Sequence, residues 1–250
     1  MGNCKIVTLM FHRIHDESQQ FDHQQFSRYL TYLKQHYPIV VPGDVLPERG
    51  VAVCLTFDDA YFDFYHYVFP LLRQHNIKAI LAVSPHYIVE STTLSAHDRL
   101  SVPYPQGMQD GLHESKVPFC TWQELQEMAD SQHVLIAAHG YQHENLANKN
   151  ANFSQEITGS KRILEQKLQT SIAYFIYPYG KMSRFAHQLV SQNYDYGFRI
   201  GSSLNQGWDV KRKMIYRIDA DPLWTQMRPI DNKLIRQLSV KYWLNRLRRK

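Results

Sequence analysis

The run VAVCLTFDD, residues 51–59, carries no charge until it ends in two aspartates. A half-buried strand alternates apolar and polar positions, whereas an unbroken apolar run marks a strand covered on both faces, as in parallel sheets. Six further runs have the same character: KIVTLMF (5–11), AILAVS (79–84), HVLIAAH (133–139), AYFIY (173–177), YGFRI (196–200) and MIYRI (214–218). Helical patterns lie between them. Phe26, Tyr29, Leu30 and Leu33 repeat at i, i+3, i+4, i+7, and Thr121-x-x-Glu124 has the form of a capping box. Residues 154–168 and 182–193 also read as helices. Alternating strands and helices imply an α/β fold with right-handed crossovers. Seven strands without a GxGxxG turn fit a (β/α) barrel better than an open sheet. A chain of 250 residues suits one domain with a sizeable core, so residues 1–250 are expected to form a single unit.

The polar residues fall at one end of these runs. His12 follows the first, Asp58 and Asp59 the second, and His139 ends the fourth with His143 four residues on; the fifth ends in YPYG (177–180). In α/β barrels the side chains at the carboxyl ends of the strands meet in one site. Asp59, His139 and His143 form a two-histidine, one-carboxylate set that leaves a metal open positions for water and substrate. Past the strand end the loop can aim both Asp58 and Asp59 inward, so that one ligates while the other stays free as a base. The paired aspartates would equally suit a helix N-cap; the nearby histidine pair favours the site. A zincin protease is excluded. It needs HExxH, but Gly140 follows His139, and HENLA has Ala147 where the second histidine belongs. Residues 86–120 interrupt the rhythm with a segment longer than a usual βα loop, which is either a binding wall or a disordered excursion.

Composition narrows the class. No apolar run of 18 residues exists, so no transmembrane helix is expected. The first apolar stretch is too short for a secretory signal, and Ile6 stands where myristoylation wants Ser or Thr. Cys4, Cys54 and Cys120 are odd in number and scattered, which implies neither disulfides nor a CxxC metal site. Cytoplasmic or peripheral-membrane residence is expected, with export open. Residues 233–250 hold seven of the 28 Lys and Arg and no acid, leaving 21 cations against 23 acids elsewhere. The basicity is local, which argues against a nucleic-acid surface. In this segment Leu234, Leu238 and Tyr242 recur at i, i+4, i+8 beside Trp243. The basic helix expected at about 230–250 either closes the barrel with a solvated end or lies on an anionic bilayer.

LTFDDAY (55–61), HGYQH (139–143) and YPYG (177–180), in that order, resemble the first three motifs of the polysaccharide deacetylase (NodB-homology, carbohydrate esterase family 4) family. The resemblance implies a distorted seven-stranded (β/α) barrel and metal-dependent removal of N-acetyl groups from amino sugars of a poly- or oligosaccharide. It implies Asp58 as the base and Asp59, His139 and His143 as ligands of a divalent metal, zinc foremost, with cobalt or nickel as alternatives. Tyr179 stands where the family uses a backbone N–H for the oxyanion, with Tyr177 beside it toward substrate. Two family features are missing: FIYPYG has no arginine to hold the base, and no histidine follows His187 to serve as the acid. TLMFHRI, however, resembles the opening segment of the circularly permuted branch that includes the biofilm poly-N-acetylglucosamine deacetylases, which makes His12 the acid. Arg217 or Asp219, in YRIDAD, is the candidate to replace the orienting arginine and its partner. The partner implied is an N-acetylated carbohydrate, with oligomeric state open. Two alternatives stand beside this reading: deacylation or deformylation of a lipid-linked amino sugar at a membrane surface, and a sugar-binding relative without catalysis.

Overall fold

The computed structural model describes residues 3–16, 21–208 and 213–247. Seven strands, β1 (Asn3–Phe11), β2 (Arg49–Phe57), β3 (Ala79–Val83), β4 (Val134–Ala138), β5 (Tyr174–Ile176), β6 (Tyr196–Ile200) and β7 (Met214–Asp219), close in sequence order into an all-parallel barrel. Each apolar run quoted above forms one of them. Around the barrel lie α1 (His23–His36), α2 (Phe69–His75), α3 (Ala96–Leu100), α4 (Leu112–Lys116), α5 (Trp122–Asp130), α6 (Ser160–Leu168), α7 (Arg184–Asn193), α8 (Asp221–Trp224) and α9 (Asn232–Leu247). Among the described residues no helix is long and apolar enough to cross a membrane.

Burial explains the unbroken apolar runs. One cluster, with Ile6, Ala52, Cys54, Ile80, Ala82, Ala137, Ile176, Phe198 and Ile215, fills the barrel interior. A second, with Val7, Leu9, Phe11, Val53, Leu55 and Phe57, packs outward against helices, to which α1 contributes Phe26, Tyr29, Leu30 and Leu33. Both faces of the strands are therefore largely apolar, and the period of two continues past the strand ends. In β2, Ala52 and Cys54 face inward, so Thr56 and Asp58 do too.

Local chemistry sets the helix boundaries. Asp22 caps α1 by accepting from the Gln24 N–H, and Thr121 and Glu124 cap α5 reciprocally, as their spacing predicts. The helix expected over 154–168 begins as a wider π-type turn, Ser154–Gly159, before α6. Ser183 accepts from the Ala186 N–H, so α7 starts at Arg184 and not at residue 182.

Residues 86–120 form an ordered wall, not an excursion. Buried Arg99 holds them: it donates to the carbonyls of Val117 and Phe119, pairs both terminal nitrogens with Glu124, and lies 3.5 Å over the Phe62 ring. The pairing of Phe11 with Phe57 and Val83 with Ala138 brings the carboxyl ends of β1 to β4 to one rim.

Candidate active site

Asp58 leaves β2 on the inward phase and is buried at the mouth of the barrel. Arg217, inward on β7, is fully buried below it and donates from Nη1 and Nη2 to Oδ1 and Oδ2 at 2.6 and 2.9 Å. Nη1 also donates to Thr56 Oγ1 at 3.2 Å, and the Thr56 hydroxyl donates to the Leu9 carbonyl. Burial would raise the Asp58 pKa, but the bidentate guanidinium outweighs it and holds the carboxyl well below the usual range. The candidate that sequence offered for the missing orienting arginine thus lies against Asp58, reached from the last strand and not the fifth.

Asp59 should point the other way, since neighbours on a strand alternate. It does not, because Asp59 and Ala60 both adopt left-handed backbone, φ 70° and 54°, which turns the second carboxylate back over the mouth. Such conformations cost about 1–3 kcal/mol each and occur where the surroundings enforce them. Asp59 Oδ1 lies 3.5 Å from Nε2 of both His139 and His143. The three ligand atoms fall within 4.8 Å of one another. Ligands of a tetrahedral ion at 2.0–2.1 Å sit roughly 3.4 Å apart. Among the described residues Asp59 Oδ1 is buried without a hydrogen-bond partner, so its lone pairs are open to a cation. Burial lowers both imidazole pKa values to about 4, leaving the rings neutral as ligation requires. His139 Nδ1 donates to the Ile176 carbonyl at 2.7 Å, which fixes the tautomer and aims the Nε2 lone pair at the cluster. The residues fit a divalent metal.

His143 reaches the cluster because the HGYQH turn is wound around one carboxylate. Buried Glu156 accepts from the backbone N–H groups of Tyr141, Gln142 and Glu144 at 3.1, 3.0 and 3.1 Å. Gly140 takes φ +77°, and a Cβ there would stand 2.3 Å from Glu156 Oε2. Gly140→Ala is therefore expected to push Glu156 out of the turn and loosen His143. Metal affinity should fall about 10–100-fold, as for other supporting-residue changes; zinc affinity within twofold of the parent would show that the turn does not position the ligand.

His12 emerges from β1 level with Asp58, on the neighbouring strand of the barrel. Its Nδ1 is 3.7 Å from Asp221 Oδ2, an ion pair and not a hydrogen bond. Asp221 is held in turn: its Oδ1 accepts from the buried Trp224 indole at 3.1 Å, and its N–H donates to Asp219 Oδ1 at 3.1 Å. Burial would lower the His12 pKa, but Asp221, Asp58 and Asp59 outweigh it and hold it at about 9. Asp219 is thus one step removed, positioning Asp221 and not His12. Asp63 accepts from the Ile14 and His15 N–H groups and anchors the chain just after His12.

The wall of residues 86–120 adds a side chain that sequence reading missed. Tyr104 donates to Asp59 Oδ2 at 3.0 Å and presents its ring edge-on to His12, while its N–H and carbonyl are tied to Asp16 and Tyr61. No periodicity marks Tyr104 in sequence. Glu156 was hidden inside a helical pattern, and Asp221 follows the inward phase of β7 only beyond the strand's end.

Tyr179 has φ 58° and packs its exposed ring edge-on to His143 at 4.6 Å. Tyr177 requires a correction. Its side chain is fully buried, with its hydroxyl on His187 Nδ1 and its ring beside Phe175, so it belongs to the layer beneath α7 and does not face substrate. From His143 and Tyr179 a cleft of about 610 Å³ opens outward between His86, Tyr87, Glu144 and Lys181. That volume suits a small ligand or sugar unit.

A poly-beta-1,6-N-acetyl-D-glucosamine N-deacetylase of Escherichia coli O157:H7 is 27% identical over 191 residues, 65% of this chain and 26% of that protein. The chain thus spans about a quarter of the length of the curated relatives it matches. Among solved structures, IcaB from Ammonifex degensii is similar over 90% of this chain and 95% of its own, with a TM-score of 0.65 and 20% identity. BC0361, a polysaccharide deacetylase from Bacillus cereus, is similar over 86% of this chain and 64% of its own, with a TM-score of 0.66 and 18% identity. These structural likenesses speak to the fold. The family model described as polysaccharide deacetylase matches residues 47–199, from before the paired aspartates to beyond the YPYG turn. The chain belongs to the polysaccharide deacetylase family.

Proposed function

We propose that this chain is a divalent-metal-dependent hydrolase that removes N-acetyl groups from the amino sugars of a poly- or oligosaccharide. The observation that carries the reading is the juxtaposition at the barrel mouth. A buried carboxylate locked by arginine, Asp58, has its Oδ2 4.0 Å from Nε2 of His139, within the Asp59–His139–His143 set. Such a divalent ion, zinc foremost, would supply Lewis-acid activation of water and of the acetyl carbonyl.

The chain's own residues account for the proton traffic. Asp58, ionised and fixed by Arg217, takes the proton of the attacking water. The Tyr179 N–H, in the YPYG turn, is assigned to the developing oxyanion, a contact worth about 10²–10³ in rate. His12, kept protonated by Asp221, gives its proton to the departing sugar amine, and acid–base help of this kind is worth about 10²–10⁴. Tyr104 holds the second oxygen of Asp59, leaving Oδ1 for the metal. The direct test is acetate release from N-acetylglucosamine oligomers by zinc-reconstituted protein, compared with protein stripped by chelator. Release that is absent with metal bound would remove this reading.

The role of Asp221 has its own signature. An acid must be protonated to act, so activity falls as pH rises through its pKa. Asp221→Asn withdraws the largest contribution opposing burial, and the His12 pKa drops from about 9. The alkaline limb of the kcat/KM profile is expected to move to lower pH while the acid limb stays. An unmoved alkaline limb would mean that His12 is not the group titrating there.

A further inference from the structure

Helix α9 is apolar on two opposite faces, and the barrel uses only one. Leu238 and Tyr242 are buried, Leu234 and Ile235 pack on the core, and Asn245 Nδ2 donates to the Gly201 carbonyl at 2.9 Å. The other face is exposed: Val240 at 60%, Trp243 at 53%, Leu244 at 41% and Leu247 at 79%. At 3.6 residues per turn these four fall within an arc of about 100°, opposite the buried stripe. Lys233 and Arg236, both exposed, lie on the same stripe toward the start of the helix, and Lys241 flanks it.

Position makes the face pertinent to the site. Ile230, just before α9, accepts a hydrogen bond from Tyr37 at the end of α1, whereas Asn245 reaches the loop that follows β6. The helix therefore climbs the barrel wall, and its exposed apolar half lies at the carboxyl end of the strands, the end that carries Asp58 and His139.

We propose that this face of α9 docks the protein on an anionic lipid bilayer, with the apolar side chains seated among the headgroups and the surrounding cations facing lipid phosphates. Charge complementarity selects the occupant. Lys233, Arg236 and Lys241, in a segment that holds no acid from 233 to 250, would repel a second copy of the same face. Nucleic acid would engage the cations but leave four large apolar side chains unused. An anionic bilayer satisfies both, because each basic residue gains from the surface potential while Trp and Leu occupy the interface. Over its described residues the helix is not long and apolar enough to cross, so the proposed contact is with the bilayer surface.

The test is sedimentation of the full chain with phosphatidylcholine vesicles with and without phosphatidylglycerol, at low and high salt. The parent is expected to pellet with the anionic vesicles only, and less in high salt. The Trp243→Glu/Leu247→Glu variant should lose about tenfold in partitioning while keeping its thermal midpoint and zinc affinity. Leu247→Ala, a milder change, should show an intermediate loss. Equal binding to neutral vesicles, unchanged binding by both variants, or pelleting without vesicles would each overturn the proposal. None of these readouts depends on deacetylation, so failure of the docking and failure of the proposed activity are distinguishable.

Discussion

Asp58→Asn is expected to slow acetate release by about 10²–10⁴ while zinc stays bound. The substitution keeps the shape of the side chain and removes its ability to take a proton. In the proposed site Asp59, His139 and His143 would hold the metal without Asp58, so zinc affinity measured by competition with a chromophoric chelator should remain near that of the parent. Loss of metal in the same variant would instead make Asp58 a ligand, and residual activity within about tenfold of the parent would remove it as base. Because Arg217 donates to both oxygens of Asp58, some loss of thermal stability is expected in parallel. The two effects separate if rates are measured well below the melting temperature.

Arg217→Met should be the most destabilising single change at the site. Both partners are buried, and removing the guanidinium strands a carboxylate in the barrel. Breaking a buried pair in this way costs about 3–5 kcal/mol. For a chain of this size that lowers Tm by roughly 6–20 °C. The pH dependence fixes the sign. In the parent, Asp58 is depressed below its unfolded pKa of about 3.9, so the pair's stabilisation is present above that value and is lost as pH falls through the folded pKa. In the variant only the weaker pull of His139 and His12 opposes burial, so the folded pKa rises and stability falls as pH rises through the unfolded value. The deficit relative to the parent should be largest near neutrality and shrink in acid. Asp58→Asn/Arg217→Met should recover much of the loss, because no buried charge remains unpaired. Additive losses in the double variant would mean that the two side chains are not coupled, whatever their separation.

Much of this was legible in the linear chain. Runs buried on both faces have no polar phase, so the seven strands stood out without their partners. The same period of two carried Asp58 and His139 inward at the strand ends, and the HGYQH spacing bound the second histidine to the first. The pairing of Thr121 with Glu124 is local and held as read. Arg217 stands in YRIDAD as one of two candidates to replace the missing arginine, but nothing in the sequence joins it to a residue 159 positions earlier.

Closure of the barrel made that join. It brings β7 beside β1 and β1 beside β2, so groups from opposite ends of the chain share one mouth. Closure likewise set Asp221 against His12 and turned Tyr104 onto Asp59, contacts that depend on where loops return and leave no periodic trace. It also reversed one expectation. Tyr177 and Tyr179 look equivalent in YPYG, yet the left-handed backbone at Tyr179 sends one ring toward the cleft and leaves the other beneath α7. Sequence by itself determined the strands and the donor types, because burial and spacing are local properties of a chain. Which donor holds which was decided only by the tertiary structure, since a hydrogen bond between distant residues needs the register that packing supplies.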